Sequence, residues 1–304
     1  MTALRIGTRG SALALAQTGG VAADLARATG VDTVIVEITT AGDRSPESLS
    51  LLGGTGVFAT ALREALRAGV CDIVVHSLKD LPTEPYPDVV IAATPERADA
   101  RDVLCARDGL TLAALPAGSR VGTGSPRREA QLRSRRPDLE VVDVRGNVDT
   151  RLAKVAKGDL DAVVLAAAGL ARLGRADAAT EYFDLNDWPT APGQGALAVE
   201  VRRGDEHLAR VLEHGATRTI VDAERNVLAL LEAGCSAPVG ARALIDDGLL
   251  FLSARVYSLD GATVLTAAHA LPLDSAVDPA SGIAQRVADE LLDAGAARLT
   301  GASR

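Results

Sequence analysis

The sequence predicts a protein of the α/β class, with two α/β domains followed by a small α+β domain. Short apolar strands alternate with longer amphipathic helices over residues 1–95. The same alternation restarts after the charged stretch 94–102, and it gives way near residue 217 to a long helix, three strand-like stretches and a final helix. Alternating strands and helices are typical of a parallel sheet with crossover helices.

Each element is predicted from its hydrophobic period and its flanking residues. The first domain has predicted strands at 4–8, 32–40 and 71–77 and helices at 11–28 and 57–68. The second has strands at 102–106, 120–123, 140–144 and 161–165. The stretch 188–201 begins as a loop and ends as a strand, so the chain could return there to the first domain. We predict a discontinuous first domain (1–95 and 196–214), a second domain (100–190) and a third domain (217–304).

Composition excludes several classes of function. The net charge of −8 and the 2% content of aromatic residues argue against a nucleic-acid-binding surface. No apolar run is long enough to span a bilayer, and the N-terminal MTALRIGTRG lacks the apolar core of a signal peptide, which predicts a cytoplasmic protein without a membrane partner. Three scattered cysteines, with no C-x-x-C or H-E-x-x-H motif, predict neither a disulfide framework nor a metal site.

Arginines stand at three predicted strand-to-helix junctions, where open α/β sheets bind their ligands. The junctions are IGTRGS with Arg9 and Ser11, VGTGSPRREAQL with Ser125, Arg127 and Arg128, and VRGNVDTRL with Arg145 and Arg151. An arginine in a first helical turn opposes the helix dipole, at a cost of about 0.3–1 kcal/mol unless an anion compensates it. Three such junctions in an acidic chain predict a site for carboxylates or phosphates.

The alternative is that these arginines form local ion pairs with Glu129, Asp143 and Asp149. A nucleotide is the less favoured anion, because no P-loop is present and GTGSPRR lacks the third glycine of a dinucleotide fingerprint.

Ionisable residues follow the apolar strand in DIVVHSLKDLPTEP. Asp80 could act there as a general acid or base, and Lys79 precedes it, although a solvated loop with a local Lys79–Asp80 pair explains the same pattern. His76 fits a hydrogen-bonded core residue as well as a catalyst. Cys71 and Cys105 lie in or beside strands and are predicted to be buried, whereas Cys235 lies in the loop AGCSAPVG and could be a nucleophile or an attachment point.

Together these segments resemble the porphobilinogen deaminase family over almost the whole chain. The matching motifs, in the family's order, are TRGSALALAQ, GGTGVF, DIVVHSLKDLPT, GTGSPRREAQL, VRGNVDTRL, LAAAGLARL, APGQGALAVE and AERNVLALLEAGCSAPVG. The resemblance implies two domains like type II periplasmic binding proteins with an active cleft between them, and a small α+β domain that carries a cofactor cysteine.

The resemblance also implies the chemistry. A dipyrromethane cofactor would be bound through a thioether to Cys235, and four porphobilinogen molecules would then add to it head to tail with loss of ammonia. Hydrolysis would release hydroxymethylbilane. Asp80 matches the family's catalytic acid/base. Arginines that match the family's acetate- and propionate-binding residues are Arg9, Arg127, Arg128, Arg145, Arg151 and Arg172, and further contacts match Ser11, Lys79 and Ser125. The resemblance also implies that the protein is a monomer.

The chain departs from the family at Thr55, where lysine is common, and at Gly124 and Pro126 in the motif that usually reads GTSSLRR. Two other classes of function remain open from the residues alone. A solute-binding protein of the same architecture would explain the arginines but would leave Cys235 and Asp80 without a role. A phosphate-handling transferase would bind a nucleotide or a sugar phosphate.

Overall fold

The computed structural model of the chain describes residues 3–39, 56–234 and 237–300. Contacts divide the chain into two compact units: unit 1 comprises residues 1–98 and 196–218, and unit 2 comprises residues 99–195 and 219–304. Unit 2 contains two separate sheets. The division into three domains stays a prediction.

The strands in chain order are β1 (Leu4–Thr8), β2 (Thr33–Glu37), β3 (Ile73–Ser77), β4 (Val89–Ala93), β5 (Asp102–Ala106), β6 (Arg120–Gly122), β7 (Glu140–Val142), β8 (Ala162–Ala166), β9 (Glu181–Tyr182), β10 (Leu197–Arg202), β11 (Val239–Asp246), β12 (Leu249–Tyr257) and β13 (Val264–Pro272). The helices are α1 (Ala12–Thr29), α2 (Gly56–Arg67), α3 (Pro126–Arg135), α4 (Val148–Ala156), α5 (Ala167–Arg172), α6 (Gly215–Leu230), α7 (Pro279–Asp293) and α8 (Ala297–Thr300).

Unit 1 contains a five-stranded sheet in the order β2-β1-β3-β10-β4. Strand β1 pairs in parallel with β2 and β3, whereas β10 runs antiparallel to β3 and β4. The buried side chains of Ile6, Leu25 and Val199 join the sheet to α1 in one core. The prediction of a parallel sheet is therefore wrong for β10, because strand polarity depends on the path of the chain and not on the hydrophobic period. The sequence prediction also lacked β4.

The first sheet of unit 2 repeats this layout in the order β7-β6-β8-β5-β9. Strand β6 pairs in parallel with β7 and β8, and β5 runs antiparallel to β8 and β9. In each sheet, the antiparallel strand follows the point where the chain passes from one unit to the other. The two α/β units share this topology, and the chain passes from one to the other just before β5 and again just before β10. This combination is the type II periplasmic-binding-protein fold.

The second sheet of unit 2 is an antiparallel meander in the order β11-β12-β13. Its buried face packs on α6 and α7 through Val227, Leu252, Ile283 and Leu291. Asp278 is the N-cap of helix α7, and its side chain accepts a hydrogen bond from the Ser281 backbone N–H. This is the small C-terminal α+β element that the sequence predicts.

Candidate active site

A cavity of about 220 Å³ in unit 1 contains three of the predicted site residues. Arg9 and Ser11 follow β1, Asp80 follows β3, and all three line the cavity. Because β1 and β3 are adjacent parallel strands, the loops at their carboxyl ends lie side by side. Sequence reasoning therefore named residues on two loops that the fold brings together.

Local hydrogen bonds fix the walls of this cavity. The Ser11 hydroxyl caps α1 by accepting a hydrogen bond from the Ala14 N–H at 3.3 Å. On the same helix, the Gln17 amide donates to the Ser77 hydroxyl of β3 at 2.9 Å. Asp80 ends a short 3-10 turn that also contains Lys79, and its side chain is exposed. The unit's own fold therefore leaves the Asp80 carboxylate hydrated.

A buried ionic cluster lies behind the cavity and was missed by the sequence analysis. The Arg63 guanidinium donates to the Glu200 carboxylate, with the closest contact at 2.6 Å, and His76 Nε2 lies 3.2 Å from Glu200 Oε2. All three side chains are buried. Burial raises the pKa of Glu200, but the close contact with His76 and the hydrogen bonds from Arg63 outweigh it and lower the pKa to about 2. His76 also lines the cavity, so this residue belongs both to the buried cluster with Glu200 and to the cavity wall.

In unit 2, the predicted site residues lie at the carboxyl edge of the adjacent parallel strands β7, β6 and β8. The Ser125 side chain caps α3, Pro126 occupies the first turn, and Arg127 and Arg128 follow. Both guanidinium groups are buried, and both donate to the carboxylate of Asp102, at 2.8 and 2.6 Å.

The alternative of local ion pairs is therefore wrong in its choice of partners for Arg127 and Arg128. Glu129 pairs with Arg133 on the same helix instead, and Asp149 pairs with Arg175.

The other predicted arginines of unit 2 differ in environment. Arg151, in the first turn of α4, donates from Nε to the Gly146 carbonyl at 2.9 Å. Burial lowers its pKa, and the positive charge of Arg128 lowers it further. Arg172 donates to the Gly195 carbonyl at 2.8 Å, and burial lowers its pKa as well. Arg145 is exposed, with its Nε 3.9 Å from the Asp143 carboxylate.

Two residues named by the sequence analysis, Cys235 and Thr55, lie outside the described residues. Cys71 and Cys105 are buried as predicted, and burial raises the pKa of their thiols to about 11 and about 12. In the described part of the chain, no cluster of three or more His, Cys, Asp or Glu side chains could hold a metal ion. Over the same residues, the structure contains no helix that is both long enough and apolar enough to span a membrane.

Comparison with known protein families identifies the family to which the chain belongs. Residues 4–210 match the family described as "Porphobilinogen deaminase, dipyromethane cofactor binding domain", and residues 219–293 match "Porphobilinogen deaminase, C-terminal domain". The chain belongs to the porphobilinogen deaminase family. The first match includes every predicted site residue except Cys235, and the second includes Cys235.

Curated relatives agree with this membership over nearly the whole chain. The porphobilinogen deaminase of Leifsonia xyli is 64% identical over 309 residues, which cover 98% of this chain and 94% of that protein. That of Thermobifida fusca is 50% identical and covers 97% of this chain and 95% of its own length. Porphobilinogen deaminase 1 of Streptomyces coelicolor is 50% identical and covers 98% of both chains.

Similarity to solved structures is lower. An arginine-specific periplasmic binding protein of Salmonella typhimurium is 15% identical, with a TM-score of 0.39 over 75% of this chain and 93% of that chain. An ancestral cationic amino acid solute-binding protein is 18% identical, with a TM-score of 0.44 over 69% of this chain and 86% of that chain.

The arginine cluster of unit 2 fits a cofactor that carries carboxylates. Arg127 and Arg128 share one carboxylate, that of Asp102. The Nε atoms of both arginines are buried and have no hydrogen-bond partner among the described residues. Buried donors and uncompensated positive charge are costly unless an anion satisfies them. The residues present at this end of α3 therefore suit the acetate and propionate groups of a dipyrromethane.

Proposed function

We propose a division of roles among these residues for the family's reaction. The chain is a transferase of this family, and its reaction is the head-to-tail condensation of four porphobilinogen molecules into hydroxymethylbilane, with release of ammonia. The observation that carries the assignment of roles is the shared cavity of Asp80, Arg9 and Ser11. An acid, a cation and a hydroxyl at one cavity are suited to a substrate that carries both an amine and carboxylates.

Asp80 is the catalytic acid/base in this proposal. It donates a proton as the amine departs, its carboxylate stabilises the positive charge that develops on the pyrrole, and it later accepts the proton lost from the attacked carbon. Asp80 is exposed, so the bound cofactor and substrate have to supply the desolvation that strengthens this charge interaction.

The cationic residues hold carboxylates. Arg9 and Ser11 bind those of the incoming substrate next to Asp80, and Arg145, Arg151 and Arg172 bind those of the growing chain. Each added pyrrole brings two further carboxylates, so several separate guanidinium groups are needed. Among them, Arg151 has a lowered pKa, because burial and the positive charge of Arg128 disfavour its charged form. A bound anion offsets the repulsion between these two arginines.

The dipyrromethane cofactor is attached to the thiol of Cys235 in this proposal. Its acidic side chains are held by Ser125, Arg127, Arg128 and Lys79, with Asp80 close to the reacting end. When bound, it supplies the pyrrole carbon to which the first substrate unit is joined. A cytoplasmic location, a monomeric state, and the absence of nucleic-acid and membrane partners stay predictions.

Intact denatured mass tests the cofactor assignment. After incubation with porphobilinogen, the protein is expected to show an excess mass that matches two linked porphobilinogen units. Cys235→Ala should lack this excess, whereas the matched variant Cys105→Ala should retain it. A bare polypeptide mass in the unsubstituted protein after incubation would contradict the proposal.

Turnover tests the role of Asp80. Asp80→Asn should keep the excess mass and lose turnover by about 10²- to 10⁴-fold, the range for removal of a general acid/base. Asp24→Asn changes an exposed carboxylate on α1 that pairs with neighbouring Arg27, and it should leave turnover unchanged. Equal turnover in the two variants would remove Asp80 from the mechanism.

A further inference from the structure

A single buried carboxylate, that of Asp102 at the start of β5, organises the arginine cluster of unit 2. Asp102 has no exposed surface, and its two oxygens accept four hydrogen bonds from side chains. The donors are Arg127 Nη2 at 2.8 Å, Arg128 Nη2 at 2.6 Å, Trp188 Nε1 at 2.9 Å and Gln194 Nε2 at 2.8 Å. Such a carboxylate has little capacity left for another partner.

The remaining hydrogen bonds fix the orientation of the two arginines. Arg127 Nη1 donates to the Pro189 carbonyl at 3.0 Å and to the Gln131 side chain, and Arg128 Nη1 donates to the Val164 carbonyl at 3.0 Å. Their Nη groups are thus bound within the protein, whereas their Nε–H groups are buried without a partner in the described part of the chain. Both side chains are held in place before any ligand arrives.

The charges of this cluster do not balance. Two guanidinium groups face one carboxylate, and Asp102 is the one acid that lies within salt-bridge distance of either arginine among the described residues. Burial opposes ionisation of Asp102, but the charges of Arg128 and Arg127 outweigh it and keep the pKa of Asp102 far below its usual range. Asp102 therefore stays ionised, and about one positive charge of the cluster has no counter-charge among the described residues.

We propose that Asp102 is a positioning residue for the carboxylate-binding site at the start of α3. By occupying the Nη2 groups of Arg127 and Arg128, it sets the direction of both guanidinium groups and leaves their Nε edges for a ligand carboxylate. This inference rests on the proposed function, in which these two arginines hold the acidic groups of the cofactor. Asp102 itself contacts neither cofactor nor substrate.

The fluorescence of Trp188 provides a spectroscopic test of the role of Asp102. It is the single tryptophan of the chain, it is fully buried, and its indole N–H donates to Asp102. Its emission therefore reports whether an acceptor occupies the position of the Asp102 carboxylate. In Asp102→Ala, acetate can fill that position, accept from the indole and neutralise one guanidinium. The unsubstituted protein has no such vacancy.

Two variants of the full-length protein test the role of Asp102. After incubation with porphobilinogen, Asp102→Asn should show a reduced fraction of protein with the excess mass. For Asp102→Ala, an acetate titration should change Trp188 emission in a saturable way and raise the fraction that gains the excess mass.

Glu200→Gln is the matched control, since it removes an equally buried, arginine-paired carboxylate from unit 1. It should lose stability and still gain the excess mass. The inference is overturned if Asp102→Asn gains the mass as completely as Glu200→Gln, or if acetate has no effect on Asp102→Ala. Failure of both Asp102 variants to fold, even in acetate, would also overturn it and assign Asp102 to stability alone. If the unsubstituted protein gains no mass, the proposed function fails instead.

Discussion

Replacing Glu200 by glutamine should destabilise unit 1 strongly. The substitution keeps the shape of the side chain and removes its charge, so Arg63 becomes a buried cation without a counter-charge in the part of the chain that the structure describes. Removing one partner of a buried ion pair costs about 3–5 kcal/mol. The depressed pKa gives a similar value: a fall from 4.5 to about 2 corresponds to about 3 kcal/mol of stability at neutral pH.

The pH dependence of this contribution has a definite sign. A carboxylate whose pKa is lower in the folded state stabilises the protein above its unfolded pKa, here about 4.5, and loses that contribution as the pH falls towards about 2. The stability of the unsubstituted protein should therefore fall between pH 4.5 and 2 by a component that Glu200→Gln lacks. The difference in stability between the two proteins is largest at neutral pH and narrows in acid.

Thermal and urea unfolding measure the effect. At pH 7, the unfolding midpoint of Glu200→Gln should fall by on the order of 10 °C for a unit of this size. Asp24→Asn, which removes an exposed carboxylate, should change the stability by less than about 0.5 kcal/mol. Replacing both Arg63 and Glu200 by leucine should cost less than Glu200→Gln alone, because no buried charge is then left unpaired. A midpoint for Glu200→Gln equal to that of Asp24→Asn would refute the reasoning.

Three further predictions concern local structure. The thiols of Cys71 and Cys105, with pKa values raised to about 11 and about 12, should be alkylated slowly at pH 8 in the folded protein and rapidly in urea, whereas fast labelling without denaturant would contradict their burial. Asn147→Ala removes the side chain that caps α4 and should cost about 1 kcal/mol in urea unfolding. Gly146→Ala should slow elongation, measured as a lower kcat, because Gly146 lies between Arg145 and Arg151, which hold the growing chain. Residue 146 has φ +101°, and an added Cβ would lie 2.8 Å from the Thr150 side chain.

Local sequence patterns predicted the elements of this fold well and their pairing less well. Strands β5 and β12 begin and end where the apolar runs do, and α1 differs from its predicted range by one residue at each end. The antiparallel direction of β5 and β10 could not be predicted in this way, since a strand buried on both faces shows the same apolar run in either direction. Polarity follows from where the chain passes between units, which is a property of the whole topology.

The sequence predicted the site residues that lie together at one strand-to-helix junction. It missed the residues that pair with them from distant positions in the sequence. Ser125, Arg127 and Arg128 follow one another on α3, and the conflict between arginine and the helix dipole marked them. Their partner Asp102 lies 25 residues earlier, at the start of an apolar strand, and it was taken as the end of a charged linker. Glu200, inside the strand LAVEVR, carried a usable signal, because an acid flanked by buried apolar strand residues requires a buried partner.

The two buried acids occupy comparable places and differ in charge balance. Each lies on the antiparallel strand of a five-stranded sheet, Glu200 on β10 and Asp102 on β5, and each pairs with arginine from a neighbouring helix. In unit 1, one arginine pairs with one carboxylate, with His76 beside them, so the Arg63–Glu200 pair is itself neutral and its role is stability. In unit 2, two arginines meet one carboxylate among the described residues, and a carboxylate of the ligand that we propose would balance the second arginine. The same buried arrangement therefore supports the fold in one unit and prepares a carboxylate site in the other.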